Sequence, residues 1–191
     1  MAPKAPRNTD QHKKCVNPCL SVVLHHINNP MNKIVVIGLG NMLMGDEGIG
    51  IYLVQALQKK QPAFPGVDFI DLGVSGFKIL HLMANREKVI FLDCAFMNEK
   101  PGVIRRFFPE EVETVYDMPA LSNHHSDLLT LIKLSQKMGE CPGKIVIFGI
   151  QPEIIAQQDF LSASLQRNWE NYLILIEKEI GLTALNGESD A

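Results

Sequence analysis

Short apolar runs alternate with stripes of apolar residues at helical spacing from residue 33 onward. Residues 34–38, 88–93 and 145–149 are almost continuously apolar, as expected for strands that helices cover on both faces. Residues 67–72 and 103–108 mix polar and apolar positions, which predicts strands near the edges of the sheet. The pattern therefore predicts an α/β domain around a largely parallel sheet of five strands, whose order the sequence does not give.

Four apolar stripes predict the helices between these strands. Three of them begin at Ile49, Phe77 and Leu128. The fourth is the longest and predicts a single C-terminal helix, in which Trp169 belongs to the core rather than to a ligand site. Its members are Leu161, Leu165, Trp169, Leu173, Ile176 and Ile180.

Composition narrows the class of protein. The chain has 191 residues, 46% hydrophobic and 20% charged, which is typical of one globular domain. A net charge of −3 argues against a dedicated nucleic-acid binder, and no apolar run approaches the roughly 20 residues of a membrane span. Four scattered cysteines do not suit a secreted disulfide framework. The cysteine usage therefore predicts a protein of the reducing cytoplasm. We also expect a monomer, although the composition does not decide the oligomeric state.

The N-terminal segment differs from the rest of the chain. Residues 1–30 contain four basic residues and one acidic residue, a charge of +3, which leaves −6 for the remainder. We predict a disordered extension over residues 1–30, a domain over 31–185 and a polar tail over 186–191. Met31 directly precedes the first strand, so translation that begins there is the alternative. The cysteines and histidines of the extension match no standard zinc pattern.

The junction between the first strand and the first helix is rich in glycine. Residues 38–50 have the sequence GLGNMLMGDEGIG. Leu43 occupies a position where a dinucleotide fingerprint requires glycine, and no Gly-Lys-Ser/Thr follows for a P-loop. Instead, Asp46 and Glu47 lie where the helix is expected to begin, and acids there stabilise the positive end of a helix.

Asp93 is the most unusual polar residue, because it ends an apolar strand where burying a carboxylate is costly. The carboxyl ends of parallel strands meet at one edge of a sheet, so Glu47 and the turn residue His124 are expected there too. Two carboxylates and one imidazole suit a borderline divalent ion with open coordination positions. A helix-capping Glu47, a paired core Asp93 and a surface His124 remain the alternative. His125 is a neighbouring candidate ligand, and Asp71 is an acid or base candidate at the same cleft.

Other hydrolytic signatures are absent from the sequence. It contains neither the Gly-x-Ser-x-Gly nor the His-Glu-x-x-His motif, so a serine hydrolase and a standard zinc peptidase lack their local signals. Cys94 lies inside an apolar run, which favours a buried thiol over a nucleophile.

Four motifs together resemble the hydrogenase maturation endopeptidases, which trim the large subunit of nickel-iron hydrogenases. Residues 40–50 resemble the G-N-x-L-x-x-D-E-x-x-G opening of that family. Residues 92–95 resemble its strand-ending D-A motif, 122–124 its S-x-H motif and 149–153 its G-x-x-P-E motif. The order and approximate spacing agree from residue 31 to about 180. One departure is D-L-G-V-S-G at residues 71–76, where many members have D-G-G-T-x-G.

The resemblance implies a fold, a site and an activity. The fold is a three-layer α/β/α sandwich around a five-stranded, mostly parallel sheet with one antiparallel strand. Glu47, Asp93 and His124 are the implied metal ligands, and Glu47 and Asp93 the implied catalytic residues of an aspartic-type or metal-assisted peptidase. We expect the precursor of a hydrogenase large subunit to be the partner and to supply the nickel. A non-catalytic chaperone or metal carrier that inspects nickel loading is the alternative function.

Overall fold

The computed structural model describes residues 32–74, 78–111 and 123–184, except for the side chains of 123–127 and 182–184. The predictions for residues 1–30 and 186–191 lie outside these ranges. Five strands in the described residues form one sheet. They are Ile34–Leu39 (β1), Val67–Gly73 (β2), Lys88–Cys94 (β3), Ile104–Phe107 (β4) and Lys144–Ile150 (β5).

The strand order is β2-β1-β3-β5-β4. β1 pairs in parallel with β2 and β3, and β3 with β5, whereas β4 is antiparallel to β5. The prediction of a mostly parallel sheet with one antiparallel strand is therefore confirmed. The two strands with mixed patterns, β2 and β4, lie at the edges, as their polar positions predicted.

Helices connect the strands. A 3₁₀ helix at Gly45–Gly48 leads directly into the first α-helix, and a second 3₁₀ helix, Gln61–Ala63, precedes β2. The α-helices are Ile49–Gln58 (α1), Lys78–Met83 (α2), Asn123–Met138 (α3), Ala163–Arg167 (α4) and Trp169–Ala184 (α5).

Alternate residues of the central strands fill two separate cores. Val36, Ile90 and Val146 face one core, which α1 and α5 cover. Val35 and Phe91 face the other, which α2 and α3 cover. Each central strand is thus buried on both faces, which explains its continuous apolar sequence and confirms the three-layer α/β/α prediction.

The prediction of one continuous C-terminal helix is wrong. The chain leaves the helix at Asn168, whose side-chain Nδ2 donates to the Ser164 carbonyl at 2.9 Å and competes with the regular backbone pattern. Leu161 precedes α4 instead of forming its first turn. Trp169, the first residue of α5, is half-buried against the core, as predicted.

A buried ionic cluster stabilises the amino-terminal edge of the sheet. Glu179 of α5 is 4% exposed, and its carboxylate lies 2.6 Å from Nζ of Lys88 and 2.8 Å from Nε of Arg106. Nζ of Lys144 lies 3.6 Å away. Lys88 and Lys144 are the first residues of β3 and β5, so this cluster is at the edge opposite Asp93.

Candidate functional site

Glycine allows α1 to pack directly against the carboxyl edge of the sheet. A Cβ atom on Gly50 would lie 2.1 Å from the Leu92 carbonyl oxygen and 2.5 Å from that of Leu39. A Cβ atom on Gly38 would lie 2.4 Å from the Gly50 oxygen. Only glycine fits at this contact. The 3₁₀ helix that carries Glu47 is thereby held at the end of β1 and β3.

A third glycine, Gly40, supports Glu47 itself. Gly40 has a φ of +127°, and a Cβ atom there would lie 1.9 Å from the Glu47 carbonyl oxygen. Any side chain at position 40 would therefore meet both backbone strain and a collision. Glu47 is half-buried. The glycines of the motif thus serve close backbone packing around this acid, and their spacing is explained without a nucleotide phosphate.

Asp46 has a role that the sequence analysis did not foresee. Its side chain is fully buried, and its carboxylate accepts backbone hydrogen bonds from Glu153 at 2.8 Å, Ile154 at 3.0 Å and Ser162 at 2.7 Å. The interpretation of Asp46 as an acid that merely complements a helix end is therefore wrong. The one available signal was the family motif, which contains both acids although the resemblance gave a role only to Glu47.

Asp93 lies near the end of β3 and is 1% exposed. Its Oδ1 accepts the backbone N–H of Cys94 at 2.8 Å, and its backbone is in register with Gly149 of β5. Burial raises the pKa of the Cys94 thiol, and the negative charges of Asp93, Asp46 and Glu47 raise it further. The negative charges of the three acids therefore all disfavour ionisation of one buried thiol at this edge of the sheet. The prediction of a buried Cys94 is confirmed, and its raised pKa disfavours a nucleophile.

Gln151 is the second functional candidate that the sequence analysis missed. It is 7% exposed and follows β5 within the G-x-x-P-E motif. Its Oε1 accepts the backbone N–H of Met97 at 2.6 Å and of Glu99 at 3.3 Å, so it orders the loop that follows Asp93. The G-x-x-P-E motif thus contacts two segments: Gln151 binds the loop after β3, and the Glu153 N–H binds Asp46.

The remaining predicted site residues are Asp71, His124 and His125, and the structure describes the side chain of Asp71 alone. Asp71 belongs to edge strand β2, is exposed, and accepts a hydrogen bond from Nε2 of Gln55 in α1 at 3.1 Å. His124 and His125 lie in the first turn of α3, and their side chains are outside the described residues. No group of three His, Cys, Asp or Glu side chains within the described part is arranged for a metal ion. The set Glu47, Asp93 and His124 therefore stays a prediction.

None of the helices in the described ranges combines the length and the apolar character that crossing a membrane requires.

The fold and the buried acids define an α/β/α protein with its candidate site at the carboxyl edge of the sheet, where open sheets of this class bind ligands. Residues 51–179 match the family model for hydrogenase maturation proteases. The chain belongs to that family. The matched range includes Asp93 and His124 and begins just after Glu47.

Individual relatives agree with this assignment. The chain is 30% identical over 162 residues to the hydrogenase 2 maturation protease of Escherichia coli, a match that covers 82% of this chain and 98% of that protein. It is 28% identical over 120 residues to the hydrogenase expression/formation protein HoxM of Cupriavidus necator. That match covers 63% of this chain and only 59% of HoxM.

A solved structure has the same fold. The hydrogenase-maturating endopeptidase HybD from E. coli superimposes with a TM-score of 0.69 at 28% identity, over 82% of this chain and 94% of that chain.

Proposed function

We infer that the protein is an endopeptidase that removes the C-terminal extension of a [NiFe] hydrogenase large-subunit precursor after nickel has been inserted. The observation that carries this proposal is the position of Glu47 and Asp93 at one edge of the sheet, in a chain of the hydrogenase maturation protease family. We further propose that the reaction takes place in the cytoplasm.

In this proposal nickel arrives as part of the substrate. Glu47, Asp93 and His124 offer oxygen and nitrogen donors, which suit a borderline divalent ion that also has thiolate ligands. Burial raises the pKa of Cys94 and so disfavours its thiolate. In this proposal the thiolates of the complex come from the precursor. Recognition of nickel and placement of the scissile bond would then use the same contact.

Two chemical routes fit Glu47 and Asp93. In the first, one carboxylate acts as a general base and removes a proton from the attacking water. In the second, the substrate's nickel polarises the scissile carbonyl while the carboxylates hold the ion in place. In both routes the carboxylates must lie close to the scissile bond.

The main experiment compares nickel-loaded with nickel-free precursor. Each form is incubated with the purified protein, and the mass of the precursor is measured over time. We expect only the nickel-loaded form to lose its extension. Equal cleavage of both forms would contradict nickel recognition, and cleavage of neither would contradict the proposed substrate.

Substitutions at the site provide the second test. Glu47→Gln, Asp93→Asn and His124→Ala should each abolish processing, because each removes one proposed ligand. Asn suits position 93 better than Ala, because the side chain is buried and its Oδ1 accepts a backbone hydrogen bond. Glu87→Gln and His81→Ala are matched controls at exposed positions and should process the precursor normally. Full activity in any of the three site variants would remove that residue from the ligand set.

Calorimetry with free Ni²⁺ distinguishes the peptidase from a nickel carrier. A carrier must bind nickel tightly by itself, whereas the proposed peptidase requires the thiolates of the precursor. Weak binding of the free ion together with cleavage of the loaded precursor is the expected result. Tight binding without cleavage would favour the carrier.

A further inference from the structure

Asp46 joins two segments that are more than 100 positions apart in the sequence. All three of its hydrogen-bond donors lie in residues 153–162, which we call the rim loop. The backbones of the two segments also meet directly. Gly45 N–H donates to the Gln158 carbonyl at 2.8 Å, and Asp46 N–H donates to the Ile154 carbonyl at 3.1 Å. The rim loop is therefore fixed beside Glu47, the residue that follows Asp46.

The rim loop presents apolar side chains to solvent. Phe160 is 58% exposed, Ile154 43% and Ile155 36%. Leu43, on the facing glycine-rich loop, is 67% exposed, and its carbonyl accepts the Gln158 N–H at 3.1 Å. A polypeptide with its scissile bond at Glu47 would lie next to these side chains.

We propose that Asp46 is a positioning residue that fixes the rim loop for binding of the precursor polypeptide. This inference rests on the proposed function. Asp46 is fully buried, so it acts through the loop and does not touch the substrate. Glu47 has separate backbone support from Gly40, where the Glu47 carbonyl leaves no room for a Cβ atom. Loss of the Asp46 contacts should therefore weaken precursor binding and leave the chemical step intact.

The first test is Asp46→Asn. One acceptor oxygen is replaced by a donor, so at least one rim-loop N–H loses its partner. We expect KM for the nickel-loaded precursor to rise about tenfold while kcat changes less than about twofold. Hydrogen exchange at the amides of Glu153, Ile154 and Ser162 should accelerate.

Asp68→Asn is the matched control. Asp68 is also a well-bonded carboxylate, and it accepts hydrogen bonds from Asn32 at 2.7 Å and Arg86 at 2.5 Å. It lies near the start of β2, at the opposite edge of the sheet from Glu47. This variant reports the effect of losing a partly buried, well-bonded carboxylate far from Glu47, and its KM should equal that of the wild type.

A milder variant covers the case in which Asp46→Asn does not fold. Ser162→Pro removes one N–H donor to Asp46, and the φ of −60° at Ser162 is the angle that proline adopts. Ser162→Ala keeps the donor and removes only the hydroxyl. We expect KM of the proline variant to exceed that of the alanine variant by about fivefold.

The outcomes separate this inference from the proposed function. Faster exchange in the rim loop with unchanged KM overturns the inference, and so does a loss of kcat at unchanged KM. If the wild type binds the nickel-loaded precursor without cleaving it, peptidase function fails, and calorimetric Kd values for the same variants replace KM. If the wild type neither binds nor cleaves the precursor, both proposals fail.

Discussion

Gly50→Ala is the substitution whose effect the structure defines most directly. The new Cβ atom would lie 2.1 Å from the Leu92 carbonyl oxygen and 2.5 Å from that of Leu39. Both obstacles are backbone atoms of central strands and cannot rotate away. Restoring an ordinary contact of about 3.4 Å requires α1 to move by about 1 Å or more from the sheet, along with the 3₁₀ helix that carries Glu47.

The change in the free energy of unfolding of Gly50→Ala is the sum of two opposing effects. Overpacking of this kind costs about 1–3 kcal/mol, and sometimes more. Alanine recovers up to about 1 kcal/mol because glycine is a poor helix former. We therefore expect a net loss of about 2 kcal/mol, which corresponds to a fall in Tm of roughly 4–8 °C for a domain of this size.

Gly181→Ala provides a matched control in α5. A Cβ atom on Gly181 would meet nothing within 4 Å, so only the helix preference acts and Tm should rise slightly. The assays are thermal unfolding by circular dichroism and cleavage of the precursor. Gly50→Ala should lower both Tm and activity, because Glu47 moves with the helix. A Gly50→Ala variant as stable and as active as Gly181→Ala would refute the packing argument.

Two further predictions concern titratable groups. Burial raises the pKa of Glu179, but hydrogen bonds and charges from Arg106 and Lys88 outweigh it and hold the pKa at about 2, below the ordinary 4.5. Glu179 therefore stabilises the fold above pH 4.5, and about 3 kcal/mol is lost as the pH falls towards 2. In urea unfolding the difference between wild type and Glu179→Gln should shrink with acid, whereas a pH-independent difference would contradict the assignment. In native protein, iodoacetamide should modify the half-buried Cys141 before the buried Cys94, and peptide mapping that finds the reverse order would contradict the burial of Cys94.

The central strands could be predicted from sequence because burial on two faces produces a local sequence pattern, or trace. A strand covered by helices on both sides must be apolar at consecutive positions, and β1, β3 and β5 meet that condition. Strand order leaves no such trace. The neighbouring positions of β1 and β3 depend on Gly50, which contacts the carbonyls of both strands, and neither the sequence around Gly50 nor that around Leu92 reveals the partner.

Sequence predicts a site residue only where its residue type breaks a local rule, which means that it is unusual for the strand, helix or turn in which it lies. Asp93 stands out because a carboxylate ends an apolar strand. Asp46 violates no local rule, since an acid at the start of a helix is common. Its three partners lie more than 100 positions away, so the contact exists only after folding. Gln151 was missed for a similar reason, because its bonds to the loop after β3 join residues more than 50 positions apart.

The paired acids Asp46 and Glu47 have different environments because they belong to a 3₁₀ helix. Successive side chains in such a helix are about 120° apart, so neighbours cannot face the same direction. Asp46 faces the rim loop and is fully buried, whereas Glu47 is half-buried above the carboxyl edge of the sheet. One acid can therefore serve the fold while the next remains available to a substrate. The consecutive acids of the motif are not two copies of one function, because the geometry of the turn assigns each a separate one.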